Sequence, residues 1–87
     1  MHAVSHLERV LDDSKQAEIV RHEAAEALGA LGSTGSLPLL EKYLKDDSQV
    51  IRETCELAVD RLKWQNSKAS REEVLQQRYD ISFLLLM

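Results

Sequence analysis

The sequence predicts an all-α fold, an α-solenoid of two helical hairpins followed by a C-terminal tail. Leu, Val, Ile and Ala residues recur three and four positions apart, which is the spacing of one face of an α-helix. The chain of 87 residues contains only three glycines and one proline, which is too few for the many turns of an all-β protein. An internal repeat is the third observation that leads to this fold class.

The repeat is visible in two pairs of segments. Residues 4–11 align with residues 37–44 at a displacement of 33, and residues 20–25 align with residues 51–56 at a displacement of 31. Each unit therefore consists of a helix, a short acidic turn and a second helix. Hairpins of this kind bury their apolar faces on one another, and the stack forms a solenoid.

The first hairpin is expected to contain helices over residues about 3–11 and 17–31. Apolar residues at helical spacing define both segments, and an Asp-Asp-Ser turn separates them. Gly32 is expected to end the second helix, because glycine adopts the left-handed conformation without the steric cost of a Cβ.

The second hairpin is expected to contain helices over residues about 37–45 and 49–63. Pro38 fits only near a helix start, where its missing N–H has no intrahelical partner. Residues 64–87 do not continue the repeat. Ser70 with Glu73 fits a capping box at the start of a further helix, and disorder of this tail is the alternative that the sequence leaves open.

The charge balance and the cysteine content restrict the class of protein. Eleven Lys and Arg residues stand against 15 Asp and Glu residues, giving a net charge of −4, which disfavours nucleic acid as a partner. The sequence has no run of about 18–20 apolar residues and no signal peptide, so no membrane association is expected. The single cysteine, Cys55, favours a reducing, cytoplasmic location.

Glu23 is the unusual residue of the second predicted helix. With Ile19 taken as zero on a helical wheel, the apolar residues extend over about a half-turn, Glu23 lies at about 40° and His22 at about 300°. Thr54 occupies the matching position in the second unit. A carboxylate buried within this arc is expected to need a cation, a metal or a hydrogen-bonded network.

Two interpretations of the His22-Glu23 pair follow from the residues alone. Histidine and glutamate are suitable ligands for iron, manganese or zinc, but two ligands fall short of the three that even an open site usually has. The alternative is a Glu at the edge of the solenoid with an Arg partner, next to a His that faces solvent.

Two stretches resemble known repeats. The turn-then-Val-Arg pattern resembles HEAT-like repeats, and Val-Arg-His-Glu-Ala-Ala-Glu-Ala-Leu-Gly-Ala-Leu-Gly at residues 20–32 resembles a metal-binding repeat of the deoxyhypusine hydroxylase family. Val-Ile-Arg-Glu-Thr-Cys-Glu-Leu-Ala at residues 50–58 is similar to the last repeat of the same family. The resemblance covers roughly residues 2–63 and places the chain in the C-terminal part of such an enzyme.

The resemblance implies a di-iron monooxygenase with four His-Glu motifs, which hydroxylates a deoxyhypusine side chain on a translation factor to complete hypusine. It implies that His22 and Glu23 are iron ligands, and that the preceding motif lies about one repeat earlier, before Met1. The chain alone is then expected to be inactive and to need the missing N-terminal repeats or self-association. No catalytic residue is assigned. Glu26 is a candidate for attracting the amines of the substrate, and its simpler interpretation is a residue of the helix surface. The alternative function is a HEAT-like adaptor that binds a protein without a metal.

Overall fold

A computed structural model of the chain describes the backbone of residues 2–86 and the side chains of residues 3–67. Its α-helices are α1 (His2–Asp12), α2 (Glu18–Ala30), α3 (Leu37–Lys42) and α4 (Gln49–Leu86), and short 3-10 helices cover Thr34–Ser36 and Tyr43–Lys45. The described backbone contains no strand. The predicted all-α solenoid of helical hairpins is therefore confirmed.

The hairpins pack through their second helices. Helix α1 lies against α2, α3 lies against α4, and α2 lies against α4. The largest side chains that are completely buried between them come from all four helices: Leu11, Leu28, Leu40, Ile51 and Leu62. Burying a side chain of this size contributes roughly 1.5–3 kcal/mol, so the contact between α2 and α4 joins the two hairpins into one core.

The turn residues behave as the sequence predicts. Gly32 has a φ of 70°, and the Ser33 N–H donates to the Leu28 carbonyl at 3.2 Å, which is the hydrogen bond of a Schellman motif. Pro38 lies in the first turn of α3. Local residue chemistry therefore determines where α2 ends and where α3 begins.

Helix α4 differs from the sequence-based expectation. The fourth helix was expected to end near Lys63, whereas the structure has one helix that runs from Gln49 to Leu86. Residues 49–86 contain no glycine or proline, and the polar residues after Lys63 cost a helix only a few tenths of a kcal/mol each. The proposed capping box at Ser70 lies outside the described side chains.

Within the part that is described, no helix has the combination of length and apolarity that crossing a membrane requires.

A buried arginine links the two hairpins. Arg21 is only 7% exposed, and its Nε donates to the Leu11 carbonyl at the end of α1 at 2.9 Å. Its Nη2 donates to Asp46 Oδ1 at 3.1 Å, and its guanidinium lies 5.2 Å from the centroid of the Tyr43 ring. Arg21 therefore joins the turn of its own hairpin to the turn of the next one.

Asp46 is held in its charged form by its neighbours. Burial would raise the pKa of this carboxyl, but hydrogen bonds from the Ser48 N–H and from Arg21 outweigh burial and hold the pKa below its usual value. Arg52, the counterpart of Arg21 in the second unit, donates to the Asp46 and Asp47 carbonyls at 2.8 and 3.0 Å. Both partners of the ion pair between Arg21 and Asp46 are thus charged at neutral pH.

Replacing Arg21 with Met is expected to lower the free energy of unfolding by about 3–5 kcal/mol, because Asp46 is left as a partly buried charge without its partner. Urea denaturation followed by circular dichroism measures this change. The matched control is Lys42→Met, which removes an exposed ion pair to Asp12 of 3.2 Å and is expected to cost less than about 1 kcal/mol. Equal losses in the two variants would contradict the role given to Arg21.

Candidate metal site

A groove between α2 and α4 contains the only described polar cluster that includes a predicted site residue. Its lining consists of residues from the two helices: His22, Glu26, Gly29, Thr54, Leu57, Ala58 and Arg61. The helices come very close at its base, since a Cβ built on Gly29 would lie 3.0 Å from the Ala58 Cβ. A glycine at this position therefore allows the approach that brings the side chains above it together.

His22 spans the groove. Its Nδ1 lies 2.6 Å from Thr54 Oγ1 on α4, and its Nε2 lies 3.3 Å from Glu26 Oε2 one turn further along α2. The side chain is 29% exposed. The imidazole is thus fixed on its Nδ1 side by a buried partner, while its Nε2 side meets the exposed carboxylate of Glu26.

The buried face of α2 is not the face on which the helical wheel places Glu23. The residue is exposed, and so are two apolar residues of the predicted arc, Ile19 at 60% and Leu31 at 59%. The buried face consists of Arg21, Ala24, Ala25, Leu28 and Gly29, which centre at about 200° on the same wheel. The expectation that packing within this chain buries Glu23 is wrong.

The reason for this error is that α2 has two apolar sides. Periodicity counts apolar residues and cannot tell which of them meet a neighbour, so the predicted arc joined the exposed side to part of the buried one. Glu23 makes no hydrogen bond or ion pair with any of the side chains at residues 3–67. No internal partner is needed for a carboxylate that water solvates.

The described side chains supply metal ligands of a suitable type but in insufficient number. An imidazole nitrogen and a carboxylate oxygen are ligands that iron accepts, and both His22 and Glu23 are accessible. Their side chains leave the helix about 100° apart, and among the described residues no three His, Cys, Asp or Glu side chains group closely enough to hold a metal ion. A complete site would therefore require ligands from outside this group of residues.

The other histidine with a described side chain and the cysteine do not line the groove. His6 is exposed on α1, and His2 lies outside the described side chains. Cys55 is buried in the core, where desolvation raises the pKa of its thiol to about 11, so the thiol stays protonated at neutral pH. Thr54 is the groove residue that the sequence pattern does not reveal, because the repeat alignment pairs it with Glu23 whereas the structure places it against His22.

Comparison with known proteins identifies similar chains. The family model for HEAT repeats matches residues 2–60. Deoxyhypusine hydroxylase of Candida albicans is 54% identical over 78 residues, which are 88% of this chain and 24% of the relative. The enzyme of the same name from Schizosaccharomyces pombe is 52% identical over 81 residues, or 91% of this chain and 26% of the relative.

A solved structure agrees with these relatives. The structure of human deoxyhypusine hydroxylase in complex with glycerol matches with a TM-score of 0.76 and 44% sequence identity, over 78% of this chain and 24% of that one. The chain thus spans about a quarter of the length of the proteins that it resembles. The resemblance predicted from the two sequence stretches is confirmed.

Replacing Gly29 with Ala is expected to lower the free energy of unfolding by about 1–3 kcal/mol, because the added methyl overpacks the contact with Ala58 and forces α2 and α4 apart. Gly35→Ala is the control, since a Cβ at Gly35 meets nothing within 4 Å. Thermal unfolding of both variants measures the difference. A Gly29→Ala variant as stable as the Gly35→Ala variant would show that the close approach does not determine the groove.

Proposed function

The chain belongs to the HEAT-repeat family and its relatives are deoxyhypusine hydroxylases, and we propose that it supplies one His-Glu motif, His22 and Glu23, to an iron-dependent hydroxylase of that kind. The proposed substrate is a deoxyhypusine side chain on a translation factor. The single observation that carries the proposal is the position of His22, which lines the groove between α2 and α4, is held by Thr54 at Nδ1 and has its Nε2 beside the exposed carboxylate of Glu26.

The open face of α2, made of Ile19, Val20, Glu23 and Leu31, supports a neighbouring repeat as the source of the remaining ligands. All four residues are exposed. In a solenoid each hairpin buries such a face on the next hairpin. Packing of a further repeat on this face would surround Glu23 with protein and bring side chains of that repeat towards the His22-Glu23 motif.

The first acidic turn has the geometry needed to receive such a repeat. Asp13 Oδ1 accepts the Lys15 N–H at 2.9 Å, just as Asp46 Oδ2 accepts the Ser48 N–H at 2.9 Å. Asp46 uses its other oxygen to bind Arg21 of the preceding hairpin, whereas Asp13 makes no ion pair with the described side chains. An arginine of a further repeat is the corresponding partner for Asp13.

The proposed reaction determines what these residues have to do. A monooxygenase inserts one oxygen atom of O₂ into a C–H bond and releases the other as water, with two electrons from an external reductant and two protons. Bound iron would supply the activation of O₂. His22 and Glu23 would hold iron, and the carboxylate of Glu26, 68% exposed beside His22, would attract the ammonium groups of the substrate. Because one motif provides two ligands, the chain alone is expected to be inactive.

Because the two ligands of one motif hold iron only weakly, anaerobic titration of the chain with Fe²⁺ in large excess tests the ligand assignment. His22→Ala and Glu23→Ala are each expected to weaken iron binding at least about tenfold, which corresponds to about 1.4 kcal/mol. Glu53→Ala is the matched control, because Glu53 is exposed on α4 and stands where the repeat alignment places His22. Its iron binding is expected to equal that of the unmodified chain.

Iron binding that stays the same in His22→Ala and Glu23→Ala would remove the basis of the proposal. It would favour the second candidate function, a HEAT-like adaptor without a metal. The open face of α2 is the observation that favours the adaptor function, since an apolar surface of this kind also suits a protein partner.

A further inference from the structure

The His22 imidazole belongs to a chain of two short hydrogen bonds. Its Nδ1 lies 2.6 Å from Thr54 Oγ1, and the Thr54 hydroxyl donates to the Val50 carbonyl oxygen one turn earlier on α4 at 2.7 Å. Thr54 is only 8% exposed. Both contacts are therefore made in a setting where water does not readily replace a lost partner.

The number of hydrogens in this chain determines which nitrogen of the ring is protonated. A threonine hydroxyl has one hydrogen, and a carbonyl oxygen has none to donate. The contact between Oγ1 and the Val50 carbonyl therefore uses the Thr54 hydrogen. The contact between Oγ1 and Nδ1 then needs a hydrogen from the ring, so Nδ1 carries an N–H and the Nε2 of the neutral ring keeps its lone pair.

Glu26 favours the opposite arrangement. Its Oε2 lies 3.3 Å from Nε2, where a carboxylate stabilises a proton on that nitrogen. This contact is the weaker of the two, because it is longer and because the Glu26 side chain is 68% exposed and can bind water instead. Leaving the buried Thr54 contact without a hydrogen costs more than an exposed pair usually contributes.

We propose that Thr54 is a positioning residue, whose hydroxyl fixes the His22 imidazole in the Nδ1–H tautomer and so presents Nε2 to the groove as a metal ligand. Histidine ligands in metal sites donate their other ring N–H to an oxygen in this way. The ligand part rests on the proposed function. The tautomer is a property of the metal-free chain and is measured independently of iron.

The test is ¹⁵N NMR of the imidazole nitrogens in the unmodified, metal-free chain at about pH 9, where histidine rings are neutral. The signals of His22 are assigned by their loss in His22→Gln. We expect the shift of a protonated nitrogen at Nδ1 and of a lone-pair nitrogen at Nε2. A protonated Nε2 in the unmodified chain would overturn the proposal.

Two variants of Thr54 separate the hydroxyl from the shape of the side chain. Thr54→Val keeps the branched shape but removes the hydroxyl, and the proton is expected to move to Nε2, where Glu26 accepts it. Thr54→Ser keeps the hydroxyl and is expected to retain the Nδ1–H tautomer. A Thr54→Val chain with native circular dichroism and an unchanged Nδ1–H tautomer would show that Thr54 does not determine the tautomer of the His22 imidazole.

The iron titration distinguishes failure of this inference from failure of the proposed function. Iron binding that depends on His22, together with a protonated Nε2, would refute the role of Thr54 and leave the ligand assignment intact. If the tautomer is as expected but iron binds equally well to His22→Ala, the role of His22 as a ligand is refuted. If both hold, Thr54→Val is expected to bind Fe²⁺ about 10–100-fold more weakly, as is typical for partners of metal ligands.

Discussion

The buried guanidinium of Arg21 sets the position of the two hairpins relative to one another. One nitrogen binds the carbonyl that ends α1, and another binds Asp46 in the turn before α4. A buried cation that has lost either partner would be costly. The two partners of Arg21 therefore fix the position of α2 along its axis and its rotation about that axis. The Tyr43 ring lies against the same guanidinium, with 5.2 Å between the ring centroid and the Arg21 Cζ.

The groove follows from this register. Once α2 is held against α4, Gly29 meets Ala58 so closely that a Cβ on residue 29 would lie 3.0 Å from the Ala58 Cβ, which is tighter than an ordinary contact. His22 lies on the flank of the same contact, two turns before Gly29 and next to Arg21 in sequence, and it therefore reaches Thr54. Glu23 leaves α2 about 100° around the helix from His22, on the side that stays open. The motif thus lies where the groove meets a face that is available to another repeat.

The sequence predicts most of the fold because the helices and turns have local causes. Apolar spacing, Gly32 and Pro38 each act over a few residues, so the hairpins could be predicted with limits close to those observed. The sequence does not predict the continuation of α4 beyond Lys63, because the segment that follows is polar and leaves the repeat pattern, although it contains neither glycine nor proline. Within the site, the pair of ligand candidates could be named from sequence, but their surroundings could not. The exposure of Glu23 and the contact between His22 and Thr54 depend on the rotation of α2 against α4, which periodicity does not determine.

In the proposed function, the imidazole of His22 binds iron from the position in which Thr54 holds it. X-ray absorption at the iron K-edge of the Fe²⁺-loaded chain tests this most directly, because the multiple-scattering pattern of a coordinated imidazole is distinct from that of water or carboxylate. We expect imidazole scattering at iron in the unmodified chain and its loss in His22→Ala. A spectrum of the unmodified chain with oxygen ligands alone, or imidazole scattering that persists without His22, would contradict the account.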